Sequence, residues 1–455
     1  MNMKRFSLIL RTIAVTLAVC ILPSCGNVSS ENDVTKVTVW SGNTHQKAVI
    51  EPLIKEWNRT VGKEKGIYID YQFKGGGTIT QVVEMAFQND TAPEWVNMTA
   101  RYDELLAIED LPGGAEYIKE YCKDEKLLEK FRHNGKTYGL PTSSGPQGLI
   151  YNKDMFKAAG IVDENGEAKP PETWDEVREY AKRLTNPKKK QYGIILPLKW
   201  DAWFKSDILH AGMSSVGHLG YDPVSGKYDY SGFVPIMDCF LNMRADGSVY
   251  PGAETIDNDP ARALFSTGKI GMKFAYCFDA GVLNDQFPAE CDWGVAPYPV
   301  LDTNNKYKQR MRYSGTLNMT KKSLETVGGD VMMECLKLFT SDWWIGELYK
   351  GAADIPYDKS KIENIDIGNS KTGWKEFCDL LAISAEEPEE PKSDTSCTED
   401  IQKMFIKEVW SGKKSTKQFA EDYAKIMNDC VQRYYDENPE ENFEKFVNPD
   451  WNIKR

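Results

Sequence analysis

Aromatic rings next to hydroxyls, amides and a guanidinium are what this chain has to offer a ligand. Its 455 residues include 12 Trp, 22 Tyr and 18 Phe, and several of these stand beside Asn, Thr, Ser or Arg in stretches that read as loops. The candidate contacts are Trp40, Asn43, Thr44, Arg101, Tyr102, Ser144, Trp200, Trp203, Tyr276, Phe278, Tyr313 and Trp343. A pyranose presents C–H bonds on one ring face and hydroxyls on its rim. A flat aromatic side chain with short polar groups around it is therefore a matched surface. Each Trp or Tyr taken singly fits a packed core equally well, and Trp343 fits a core better.

Bond-breaking chemistry has little to stand on. The histidines, His45, His133, His210 and His218, show no metal-ligand spacing, and neither His-Glu-x-x-His nor a Gly-x-Ser-x-Gly elbow occurs. With 68 acidic residues, carboxylate pairs of the kind used in glycoside hydrolysis arise by number alone. No catalytic residue, metal or cofactor is expected. Gly75-Gly76-Gly77-Thr78 lacks the spacing of a phosphate-binding loop and reads as a flexible turn. The formal charge of -12 argues against nucleic acid, and Lys188-Lys189-Lys190 after Pro187 reads as a solvated turn.

The elements that must position these residues alternate. Val37 to Trp40 reads as a strand, Thr44 to Trp57 as a helix that Pro52 should kink or break, Ile67 to Phe73 as a strand, Ile79 to Gln88 as a helix, and Trp95 to Met98 as a strand. Strand alternating with helix predicts a mostly parallel sheet with ligand-facing loops at its strand C-termini. Further on, Leu149 to Tyr151 is a strand. Thr173 and Glu176 then form a capping box ahead of Trp174, Val177, Ala181 and Leu184, which share one helical face. The last third reads as helical, with an exposed Glu- and Pro-rich loop from Glu386 to Thr398.

At the N-terminus, Lys4, Arg5 and Arg11 precede an apolar run from Thr12 to Leu22, too short to span a bilayer, that ends in Leu22-Pro23-Ser24-Cys25-Gly26. This resembles a bacterial lipobox, which makes Cys25 the expected lipid-attachment site and residues 25–33 a polar linker. Eight of the ten cysteines remain after Cys20 and Cys25, and none forms a Cys-x-x-Cys. Most read as buried free thiols, with one or two bridges left open.

One ordered set of motifs goes further. Gly139-Leu140-Pro141, then Leu149 to Ile161 (LIYNKDMFKAAGI), Pro171-x-Thr173-Trp174-Asp175-Glu176, Ala181 to Thr185 and Tyr192-Gly193 follow one another over about sixty residues. Pro260 to Met272 and Trp293 to Pro299 extend the pattern. Together they resemble the family 1 extracellular solute-binding proteins, the maltose-binding-protein-like receptors of ABC importers. The resemblance implies an α/β, two-lobed periplasmic-binding-protein-like fold (type II) whose lobes are joined by a hinge with multiple chain crossings. It implies a signal peptide over 1–24, one lobe from 34–142 plus about 280–342, and the other from 143–279 plus about 343–455. It places the neighbourhoods of Trp40, Arg101, Ser144, Trp203 and Phe278 at the cleft, and it implies a carbohydrate ligand, foremost an oligosaccharide, an ABC permease as partner, a lipid anchor and a monomer. Ser144-Gly145 stands where some maltose-specific relatives carry an acid, so specificity is expected in Thr142 to Gln147. A surface glycan hydrolase or adhesin, and a receptor for a polyamine or phosphodiester, stay open beside this.

Overall fold

The structure, a computed structural model, describes residues 34–75, 79–97, 99–365 and 371–455. The expected signal segment, Cys25 and its linker lie outside these residues, as do Met98 and most of the glycine turn.

In chain order the strands of the two larger sheets are β1 (Thr35–Ser41), β2 (Ile67–Phe73), β3 (Trp95–Val96), β4 (Leu105–Leu106) and β5 (Pro141–Asn152). There follow β6 (Tyr192–Ile194), β7 (Ile270–Tyr276), β8 (Trp293–Ala296), β9 (Gln309–Gly315), β10 (Asn318–Thr320) and β11 (Ser384–Glu386). The helices used below are α1 (Lys47–Arg59), α2 (Trp174–Leu184), α3 (Asn258–Ser266), α4 (Gly329–Phe339), α5 (Asp342–Lys350) and α6 (Thr416–Glu437).

The first lobe is built on a sheet of order β2-β1-β3-β10-β4. β1 runs parallel to β2 and β3, and β10 antiparallel to β3 and β4. Alternation along β1 buries Val37 and Val39 against Ile50, Leu53, Ile54 and Trp57 of α1. Pro52 does not break α1. It sits on the exposed face of an unbroken helix, where a lost backbone hydrogen bond is cheapest.

The second lobe holds a sheet of order β11-β9-β5-β7-β6, with β8 also paired to β5. The capping box forms as the sequence predicts: the Glu176 N–H donates to Thr173 Oγ1 at 3.2 Å and the Glu176 carboxylate accepts from the Thr173 N–H at 3.2 Å. Trp174, Val177, Ala181 and Leu184 all enter the core.

Two expectations need correction. Strands β8 and β9, assigned above to the first lobe, pair with β5 in the second sheet. The first core in turn extends past residue 342, taking in Trp344, Leu348 and Ala353. Periodicity identifies a strand but not its neighbour, and both strands find theirs on β5. β5 is also longer than the short strand expected at Leu149 to Tyr151, because Pro141 to Pro146 continues it by pairing with β9.

The chain passes between the lobes along β5, along β9 into β10, and along 352–357. These passages lie side by side: the Ser144 N–H donates to the Ile355 carbonyl at 2.7 Å, and Ser143 bridges to Pro356. At Gly315 a Cβ would come within 2.3 Å of the Phe131 ring and 2.8 Å of the Leu140 carbonyl, so only glycine fits where β9 ends. Cys397 and Cys430 form a disulfide that ties the Glu- and Pro-rich loop to α6, while Cys122, Cys239, Cys277, Cys291, Cys335 and Cys378 are free. Among the described residues no helix is long and apolar enough to cross a membrane.

Candidate ligand-binding cleft

A cavity of about 140 Å³ lies where the lobes meet the crossing strands. From the first lobe it is lined by Asn43, His45 and Gln46, in the turn after β1, and by Trp344 and Leu348 of α5. The crossing strands contribute Thr142, Ser143, Gly145, Arg312, Ser314 and Asp354, and the second lobe Tyr276, Cys277 and Phe278.

The turn Thr44–Gln46 closes against the second lobe. His45 stacks on Phe278 with ring centroids 3.9 Å apart, Thr44 Oγ1 donates to Asp259 of α3 at 3.3 Å, and the Gln46 amide donates to Asp354. Phe278 stacks in turn on Tyr276 at 5.1 Å with planes 6° apart, so the cavity has an aromatic wall. Beneath it Asp279 accepts from Arg262 at 2.6 Å and faces Lys273 at 3.5 Å, all three buried. Burial would raise the Asp279 carboxyl, but Arg262 and Lys273 hold it below its ordinary value. Arg262 also pairs with Asp259 at 2.6 Å, which links this cluster to Thr44.

Burial shifts the other cavity groups toward their neutral forms. His45 is pulled down to about 3 by desolvation and then by Arg262. Asp354 is pushed up to about 7 by desolvation, against the opposing hydrogen bonds of Ser143 and Gln46 and the charge of Arg312. Among the described residues no group of three or more His, Cys, Asp or Glu side chains could hold a metal.

Of the residues singled out by sequence, Asn43, Tyr276 and Phe278 line the cavity. Thr44 is at its edge on Asp259, and Trp200 stands edge-on to Tyr276 at 6.2 Å. Ser144 and Tyr313 are opposite each other on β5 and β9 and point away from it, because their neighbours Ser143, Gly145, Arg312 and Ser314 face it. Trp40, Arg101 and Tyr102 gather elsewhere on the first lobe. Lys74 lies over the Trp40 ring, Arg101 is taken up by Glu84, Asp103 and Glu104, and Tyr102 stacks on His133. Trp203 is wholly buried among Phe240, Phe405 and Trp410, which rules out ligand contact without opening the core. Trp343 is 41% exposed on the outer face of α5, and its neighbour Trp344 is the one that reaches the cavity.

Sequence reasoning missed His45, Gln46, Arg312 and Asp354. His45 and Gln46 directly follow Asn43-Thr44, and Arg312 directly precedes Tyr313, so in β9 a one-residue change of face separates the expected residue from the observed one.

The sequence profile of the bacterial extracellular solute-binding proteins matches residues 41–326. The chain belongs to that family. This extracellular solute-binding protein is 28% identical over 302 residues to a binding protein of Brucella abortus, covering 59% of this chain and 69% of that one. It is 26% identical over 286 residues to the sn-glycerol-3-phosphate-binding periplasmic protein UgpB of the same organism, covering 59% and 62%. Its fold matches the maltose/maltodextrin-binding domain MalE of Bdellovibrio bacteriovorus bound to maltotriose, with TM-score 0.67, 16% identity, and 87% and 100% of the two chains covered. The two-lobed α/β fold expected from the motif order is the fold found.

Proposed function

We propose that this solute-binding protein is the receptor of an ABC importer, capturing a carbohydrate between its lobes and delivering it to a membrane permease as a monomer. Cys25, following Leu22-Pro23-Ser24, would carry the lipid that anchors it outside the cytoplasm.

The observation that carries the reading is the composition of the inter-lobe cavity. Parallel aromatic rings at Tyr276 and Phe278 form one wall, and Asn43, Gln46, Thr142, Ser143 and Ser314 supply short polar groups around it. That pairing suits a sugar's apolar face and hydroxyl rim. The maltotriose held by the structural neighbour is a ligand of this kind.

Both lobes line the cavity, so a ligand gains its full set of contacts only in the closed form, and binding shifts the population toward closure. A cavity of about 140 Å³ is close to the ~150 Å³ that accommodates a benzene ring. Even a single saccharide ring is larger than benzene, so a sugar of any length requires the lobes to part. The test is small-angle scattering with intrinsic fluorescence during a saccharide titration. Compaction and a fluorescence change on adding one sugar support the reading, and curves unchanged across neutral and acidic saccharides contradict it.

A further inference from the structure

The hydrogen-bonding capacity of the cleft is unevenly spent. The carboxyl groups in and beside it are engaged: Asp354 by Gln46, Asp259 by Arg262 and Thr44, and Asp279 by Arg262 and Lys273. Arg312 is not. It lines the cavity with an exposed side chain and makes no ion pair or hydrogen bond among the described residues.

Strand alternation extends this unpaired face. Arg312 is opposite Gly145, so two residues along each strand Arg310 and Gln147 face the same way, and Gln147 is also opposite Tyr276 of the aromatic wall. Gln147 is 0% exposed with both amide atoms unpartnered, and Arg310, 6% exposed, keeps one Nη unpartnered. His210, 5% exposed, has both ring nitrogens unpartnered and lies within electrostatic reach of Arg310 and Arg312. It closes a π-helical turn, Phe204–His210, a distortion that recurs at functional sites.

Buried polar groups without partners are rare in folded proteins and mark places where something else completes them. Water or sugar hydroxyls can satisfy an amide and an imidazole, but neither answers the charge of Arg312. A planar guanidinium matches a carboxylate, sulfate or phosphate with two parallel hydrogen bonds.

We infer that the cleft takes a saccharide bearing an anionic substituent, with Arg312 pairing to the anion and Gln147 and Arg310 completing its coordination. This rests on the carbohydrate reading above and narrows its substrate class.

The test titrates the purified protein with three matched pairs: galacturonate and galactose, glucose 6-phosphate and glucose, N-acetylglucosamine 6-sulfate and N-acetylglucosamine. Inorganic phosphate and inorganic sulfate are separate arms. The expected result is that at least one acidic sugar binds about ten- to a hundredfold more tightly than its neutral parent. Arg312→Gln removes that difference without moving the unfolding midpoint, and Arg312→Lys keeps part of it. Which pair responds identifies the anion as carboxylate, phosphate or sulfate. Neutral parents binding as tightly as their acidic partners, or a preference that survives Arg312→Gln, would overturn the inference while leaving the carbohydrate reading in place. Inorganic anions binding as tightly as the sugar esters would overturn the saccharide part, and no binding by any sugar would sink both.

Discussion

The second lobe contains two polar clusters a short distance apart that answer their charges differently. In one, Arg262, Asp279 and Lys273 are buried, and their charges are met by one another. In the other, Arg312 lines the cavity, while the buried Gln147, His210 and Arg310 keep hydrogen-bonding atoms unpartnered. Burial alone does not separate them: Arg312 is exposed, but Gln147 is as enclosed as Asp279. Pairing does. The closed cluster fixes the Phe278 wall and the contact from Asp259 to Thr44, whereas the open one is finished by something from outside.

The largest effect should come from the closed cluster. Asp279→Ala leaves buried Lys273 without its ion-pair partner and Arg262 with Asp259 alone, and should cost about 3–5 kcal/mol in urea unfolding. A loss below about 1 kcal/mol would mean that the cluster is not a structural unit.

The open cluster should behave in the opposite way. Arg312→Gln should change unfolding by less than about 0.5 kcal/mol while weakening the preferred acidic sugar by about 1.5–3 kcal/mol. Titration calorimetry beside thermal unfolding separates the two outcomes.

Asp354 sharpens the contrast through pH. Its carboxyl is pushed up to about 7 by burial, and the groups facing it are Gln46, Ser143, Arg312 and Tyr71, with His45 nearby and neutral above about pH 3. Above pH 7 Asp354 becomes negative, so affinity for an acidic sugar should fall as pH rises through that value. Asp354→Asn should flatten the profile. The linkage to stability has its own sign: the folded chain keeps this proton to about pH 7, while the unfolded chain loses it near 3.8, so this group lowers stability as pH rises between those values. The smallest effect belongs to Trp343→Ala on the outer face, within about 0.5 kcal/mol for stability and none for affinity.

Local signals were the legible part of this molecule. The capping box, the α2 core face and the alternation of the first strands depend on neighbours in sequence, and each forms where the pattern puts it. Pairing between distant strands left no such trace, and β8 and β9 pair with β5 rather than with the first sheet. The site divides along the same line. Tyr276 and Phe278 follow directly from the end of β7, but Trp203 and Arg101 have the right chemistry and are used internally, in an aromatic core and an acidic cage. Arg312 and Asp354 owe their roles to facing each other across the crossing strands, a proximity that exists only after folding.

The most direct test of the distinction between closed and open clusters is Gln147→Leu, which removes an amide that the protein itself leaves unpartnered. Calorimetric titration with the tightest-binding sugar, together with unfolding of the unliganded protein, should show affinity about tenfold lower and an unfolding midpoint unchanged or raised. Unchanged affinity with a lowered midpoint would make Gln147 a structural residue and contradict the account.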